Sequence, residues 1–162
     1  MKTLIVYYSL EGNSQYIAEE LANKLNADTL KLIPKKAYAD KGFAKFFWGG
    51  KSAVMAEKPE LEIYDVNLAE YERIIIGFPV WASTFTPPIR TFVLDNIDAL
   101  KGKKIATFAC QSGKGAEKAF EKLKETLGIQ EFAATGIFFD PKSKPSDENS
   151  KKIEEFCEEI QK

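Results

Sequence analysis

Three short segments carry the residue types that could grip a small ligand. The first, Ser9-Leu10-Glu11-Gly12-Asn13-Ser14, runs directly into Ile17 and Leu21, which have helical spacing. Small hydroxyl and amide side chains around a glycine let several backbone N–H groups converge on an anion at the positive end of a helix. The segment lacks the lysine of a Walker A loop and the G-x-G-x-x-G spacing of a dinucleotide fold, which argues against nucleoside triphosphates and NAD as its ligands. A plain helix N-cap by Asn13 or Ser14 would use the same residue types. The second segment, Gly77-Phe78-Pro79-Val80-Trp81-Ala82-Ser83-Thr84-Phe85-Thr86-Pro87-Pro88, has little charge and large aromatics. Trp81 offers a flat platform for a conjugated ring, and its prolines lower the entropy lost on binding; the alternative is that Trp81 plugs the edge of a sheet. The third, Cys110-Gln111-Ser112-Gly113-Lys114-Gly115, allows close backbone approach at its glycines and offers the Gln111 amide to a polar ring edge.

What is missing narrows the chemistry. Histidine is absent from all 162 residues, which removes the commonest general base and metal ligand and every Ser/His or Cys/His nucleophile. Cys110 and Cys157 are the only cysteines, too few for a zinc or disulfide framework and suited to a reducing cytosol, so a cytoplasmic protein is expected. They read as small buried hydrophobes; a reactive Cys110 would require a neighbouring cation. Twenty-three Lys and Arg against 24 Asp and Glu give a net charge of −1, which argues against a nucleic-acid binder. No apolar run approaches a membrane span, and Glu11, Glu19 and Glu20 follow the apolar start without a small-residue cleavage site.

The elements that must position these segments follow from periodicity. Short apolar runs at Leu4 to Tyr8, Thr29 to Ile33, Arg73 to Phe78, Lys104 to Cys110 and Phe132 to Phe139 predict five strands. Helical spacing joins Ile17, Leu21 and Leu25, then Ala116, Phe120, Leu123 and Leu127, and finally Ile153, Phe156, Cys157 and Ile160 within Ser146 to Gln161. Pro87-Pro88 predicts a helix start and Lys101-Gly102 its close. A further covering helix, bent at Gly49-Gly50, is expected around Phe43, Phe46, Phe47, Trp48, Ala53, Val54 and Met55, with Trp48 or a phenylalanine either packed in the core or overhanging a ligand. Continuous apolar strands alternating with amphipathic helices give a parallel sheet covered on both faces, a three-layer doubly wound α/β domain. At 162 residues and 44% apolar content a single domain over residues 1–162 is expected. Ligands of such folds bind beyond the carboxyl ends of the strands, where the three segments fall.

A phosphate cradle, an aromatic platform and a glycine-rich third loop together suit a planar heterocycle carrying one phosphate, and flavin mononucleotide (FMN) fits. At these residues the chain resembles the flavodoxin-like family. Ser9-Leu10-Glu11-Gly12-Asn13-Ser14 is similar to the family's S-x-T-G-N-T phosphate loop, and Gly77-Phe78-Pro79-Val80-Trp81 with Pro87-Pro88-Ile89-Arg90-Thr91-Phe92 resembles a bacterial subgroup. The resemblance spans essentially the whole chain. It implies strand order 2-1-3-4-5 in the short-chain form, FMN phosphate at Ser9 to Ser14, and the isoalloxazine between the Pro79 to Phe85 loop (Pro79, Val80, Trp81, Ala82, Ser83, Phe85) and the Cys110 to Gly115 loop (Cys110, Gln111, Ser112, Gly113, Gly115). Two positions depart from the family. Glu11 stands in place of a threonine and sets a carboxylate near the phosphate, and Ala82-Ser83 follows Trp81 where electron carriers typically have glycine.

Flavin supplies redox chemistry without catalytic acids or bases. Three functions follow: an FMN electron carrier docking with redox partner proteins, an FMN-dependent oxidoreductase moving electrons from NAD(P)H to a quinone or similar acceptor, or a cofactor-free interaction module. Electron carriers of this family are usually strongly acidic, and a net charge of −1 is not. Charge is also unevenly spread: Lys31 to Lys51 holds six lysines and one aspartate, and Glu57 to Glu72 holds six acids and Lys58. Such runs are solvated faces or docking patches. Either a monomer or a homodimer is compatible with the sequence.

Overall fold

The computed structural model describes residues 1–38, 51, 53 and 55–162. Strand β1 (Thr3–Tyr7) leads into helix α1 (Asn13–Leu25) and strand β2 (Asp28–Lys31). After a short 3-10 turn at Leu68–Glu70 come β3 (Arg73–Pro79), α2 (Pro87–Asp95) and the single-turn α3 (Ile97–Leu100). The chain continues through β4 (Lys104–Gln111), α4 (Ala116–Leu127), β5 (Thr135–Phe139) and α5 (Asp147–Gln161). All neighbouring strands pair in parallel in the order β2-β1-β3-β4-β5. The expected sheet, strand count and order are therefore present.

Alternation along the strands divides the core into two layers. Leu4 and Val6 of β1 join Ile74, Ile76 and Phe78 of β3 beneath α2 and α4, while Ile5, Tyr7 and Ile75 join Ile17, Leu21, Ile153 and Phe156 of α1 and α5 on the opposite face. The connection leaving β1 thus turns to one face and that leaving β3 to the other, which opens a crevice between them at the carboxyl edge. Across the second layer, Lys24 of α1 pairs with Glu154 of α5.

Boundaries differ from the periodicity in instructive ways. Strand β5 begins at Thr135 rather than Phe132, whose ring packs against Phe120 with centroids 6.3 Å apart. The helix expected to run from Pro87 to Lys101 breaks at Asn96. There the Asn96 side-chain amide donates to the Phe92 carbonyl at 2.8 Å, the kind of local bond with which asparagine competes against helix continuation. Strand β2 stops at Lys31; Pro34 then forms an antiparallel bridge with Leu61, flanked by a Lys35–Glu60 ion pair at 3.4 Å. The described start of the basic run therefore meets the acidic run. The covering helix expected around Phe43 to Met55, with Trp48, falls mostly outside the described residues; of those described, Ala53 is buried and Met55 exposed.

Candidate functional site

The loops after β1, β3 and β4 meet at the carboxyl edge around a cavity of about 170 Å³. The first contributes Ser9, Leu10, Glu11, Asn13 and Ser14; the second, Pro79, Val80, Trp81 and Ala82; the third, Cys110, Gln111 and Ser112. Twelve of the residues expected in a ligand site thus line one space. Among the described residues no group of His, Cys, Asp and Glu is arranged to hold a metal ion.

The first loop holds open the N-terminus of α1. Gly12 is the N-cap residue at φ 99°, a conformation favouring glycine, and its N–H donates to Ser9 Oγ at 3.2 Å. Capping by Asn13 or Ser14, the alternative use of this motif, does not occur: no side chain caps the helix. Asn13 Oδ1 instead accepts the backbone N–H of Lys142 at 2.9 Å. The Ser14 hydroxyl is buried beside the Cys110 thiol and has no partner in full hydrogen-bonding geometry, an arrangement that ordinarily costs free energy. The starts of two other helices are closed, whereas α2 also lacks a side-chain cap and leaves the Thr86 hydroxyl buried without a partner, with Pro87 and Pro88 removing two of its N–H groups. Ser146 caps α5 by accepting from the Asn149 N–H at 3.1 Å, and acidic Asp147 and Glu148 occupy its first turn. Gln111 Oε1 accepts the Ala116 N–H at 3.0 Å at the start of α4. The first turn of α1 has no acidic residue, so its N–H groups and the Ser14 hydroxyl offer donors to an anion entering the cavity.

The second loop turns tightly. Trp81 and Thr84 exchange backbone hydrogen bonds at 3.1 and 3.0 Å, with Ala82 at φ 51° and Ser83 at φ 58° between them. Two positive φ angles identify the geometry of a type I′ turn built without glycine. The half-buried Trp81 ring meets Tyr38 edge-on with centroids 5.1 Å apart and Tyr8 at 5.7 Å, so it both packs against protein rings and lines the cavity. A Cβ on Gly115 would lie 2.9 Å from Ser83 Cα; glycine at 115 is what lets the second and third loops touch. Ser83 and Gly115 support this contact and are not among the cavity-lining residues.

Three sequence expectations change. Phe85 is buried in the core, edge-on to Phe78 at 6.3 Å and beneath the Arg90 guanidinium at 4.6 Å, because the Trp81–Thr84 turn ends before it. Gly113 is exposed and outside the cavity lining. Gln111 spends its carbonyl oxygen on α4, leaving only its amide nitrogen for a ligand. Cys110 is buried, and burial pushes its thiol up to about 12, with only partial relief from the neighbouring Ser14 hydroxyl; it is no nucleophile at neutral pH.

The loop after β5 was not among the segments singled out. Asp140 lines the cavity, accepts from the Ser112 hydroxyl at 2.7 Å and sits at φ 41°. Tyr8, Tyr38 and Lys142 also border the constellation. Strand order was the available signal: β5 next to β4 carries Asp140-Pro141-Lys142 to the same edge.

Several solved structures share this fold. A Bacteroides eggerthii protein described as a flavoprotein superposes with a TM-score of 0.75 at 21% identity, covering 99% of this chain and 98% of that one. A Lactobacillus acidophilus flavoprotein in complex with FMN gives 0.71 at 20%, with 92% and 98% covered. The two-electron reduced flavodoxin of Megasphaera elsdenii gives 0.61 at 18%, with 98% and 97% covered. At these identities the likeness establishes the fold. Comparison with curated proteins found no sequence match. The family model described as flavodoxin matches residues 2–151, nearly the whole chain, and with five parallel strands in the order 2-1-3-4-5 the protein belongs to the flavodoxin family.

Proposed function

We propose that this protein binds FMN and serves as an electron carrier, docking transiently with redox partner proteins. The observation that carries the reading is the buried, unpartnered Ser14 hydroxyl at the uncapped start of α1. A phosphate there is met by the hydroxyl and by the free N–H groups of the first helical turn. FMN, when bound, supplies the redox chemistry. The chain's own groups would hold it: Trp81 could offer its indole to the ring system, the Gln111 amide nitrogen is left to donate, and Ser112 and Asp140 line the same cavity and could meet the polyol. The cavity, of about 170 Å³, is smaller than the ~300 Å³ of ordinary cofactor pockets and opens at the carboxyl edge of the sheet, where a docked partner could reach a bound flavin.

A net charge of −1 favours a second reading, because an acidic electrostatic face that steers basic partners is not provided by overall charge. In it the same FMN passes electrons from NAD(P)H to a quinone or similar acceptor.

Titration of purified protein with FMN tests the common core. Flavin fluorescence is expected to be quenched on binding, and Trp81→Ala to weaken affinity by about 1–2 kcal/mol, the scale of a stacked aromatic contact. Protein that leaves flavin fluorescence untouched would be the cofactor-free module instead. Anaerobic reduction then separates the two redox readings. Reduction in two distinguishable one-electron steps supports the carrier, whereas direct bleaching by NAD(P)H with steady quinone turnover supports the oxidoreductase.

A further inference from the structure

The segment after β5 brings a cation to the place where a helix repels one. Lys142 is held at the start of α1 by its backbone N–H, which donates to Asn13 Oδ1 at 2.9 Å. The turn beneath it is closed by the Lys144 N–H on the Asp140 carbonyl at 2.7 Å. From there the Lys142 side chain lies across Gly12: a Cβ on that glycine would be 2.8 Å from Nζ and 3.1 Å from Cδ. The ammonium therefore lies against the backbone of the α1 N-cap residue.

Its electrostatic position is otherwise unaccounted for. The N-terminus of a helix carries partial positive charge, so an ammonium there is disfavoured unless an anion lies within reach of both. Neighbouring lysines have such partners: Lys144 is 3.8 Å from Asp140 and Lys152 is 3.4 Å from Glu148. Lys142 is solvent-exposed and makes no ion pair with any described residue. Of the carboxylates bordering the cavity, Asp140 is engaged by Ser112 and Lys144, and Glu11 is exposed.

We infer that Lys142 is an anion-binding residue that completes the phosphate site of α1 and makes the pocket select phosphorylated flavin over riboflavin. This rests on the FMN reading above. Three elements would then share the anion: Ser14 with its buried hydroxyl, the first-turn N–H groups of α1, and the Lys142 ammonium from the loop after β5. The cation offsets charge that a phosphate would bring to the start of α1.

Parallel titrations with FMN and riboflavin test the assignment, using flavin-free wild type, Lys142→Gln and Lys142→Arg. The two flavins share ring and polyol, so the difference in affinity isolates the phosphate. For Lys142→Gln, FMN affinity is expected to fall about tenfold, equivalent to about 1.4 kcal/mol, while riboflavin affinity stays within about twofold. Lys142→Arg should restore most of the loss, since charge rather than ammonium shape is required. Wild-type FMN affinity should also fall more steeply with added salt than that of Lys142→Gln. FMN binding unchanged in Lys142→Gln overturns the inference and leaves the FMN reading standing. Parallel loss of both flavins overturns it too, because it assigns Lys142 to loop structure. Wild type that takes up neither flavin defeats the FMN reading itself, and the assignment with it.

Discussion

Cys110 borders the cavity yet is 2% exposed, and its thiol is raised from the ordinary 9.0 to about 12, chiefly because burial disfavours the thiolate. The folded state therefore holds this proton more tightly than the unfolded chain. The resulting stability is complete below about pH 9 and is lost as pH climbs toward 12, because the unfolded thiol ionises first. Urea titrations between about pH 8 and 11 should show a steeper fall in unfolding free energy for wild type than for Cys110→Ala, the difference approaching ~1.4 kcal/mol per pH unit. Equal slopes would mean that the thiol titrates alike in both states. Residue-scale chemistry was legible in the sequence where a motif concentrates it. Ser9 to Ser14 and Trp81 could be named from type and spacing, and the cavity gathers them. Asp140 and Lys142 could not, because an aspartate and a lysine in a polar stretch look like solvated surface until strand order brings them beside Ser112 and Gly12.

At the scale of elements, the turn at Ala82-Ser83 stores strain. Non-glycine residues in the left-handed region cost about 1–2 kcal/mol each, and both positions of this turn are of that kind. The exposed Ala82 would lose no buried contact on replacement. Ala82→Gly is expected to raise stability by about 0.5–1 kcal/mol, the relief of strain outweighing the added freedom of the unfolded chain; a denaturant midpoint that falls would locate the strain elsewhere. Strands and long helices were readable because apolar periodicity reflects burial directly, as in Leu4 to Tyr7 and Ala116 to Leu127. The break at Asn96 was not, since asparagine reads as ordinary helix surface until its side chain is seen on the Phe92 carbonyl. Phe85 illustrates the same limit: its place in a loop suggested a ligand contact, whereas turn geometry delivers it to the core.

For the molecule as a whole, the two edges of the sheet are treated differently. At the edge opposite the cavity, buried Arg73 donates from Nε to Thr3 Oγ1 at 2.9 Å and from Nη1 to the Ile160 carbonyl at 2.7 Å. Lys104 Nζ reaches the same carbonyl at 3.0 Å, so β1, β3, β4 and the end of α5 are fastened together by cations at a helix C-terminus. Arg73→Met should cost about 1.5–3 kcal/mol, the scale of hydrogen bonds to a charged group, measured by thermal or urea unfolding, with flavin affinity of the folded protein little changed. Loss of affinity in the folded variant would show that this edge communicates with the cavity.

The bare start of α1 has a consequence for the protein's lifetime. An unsatisfied hydroxyl and unshielded amides are a standing deficit in the empty chain, one that a bound mononucleotide removes; at a hundredfold excess over the dissociation constant, occupancy adds about 2.7 kcal/mol. Differences of that size change the steady-state abundance of a protein several-fold through proteolysis of its unfolded fraction. With the proposed ligand, the amount of this protein in a cell would follow vitamin supply without any change in its synthesis.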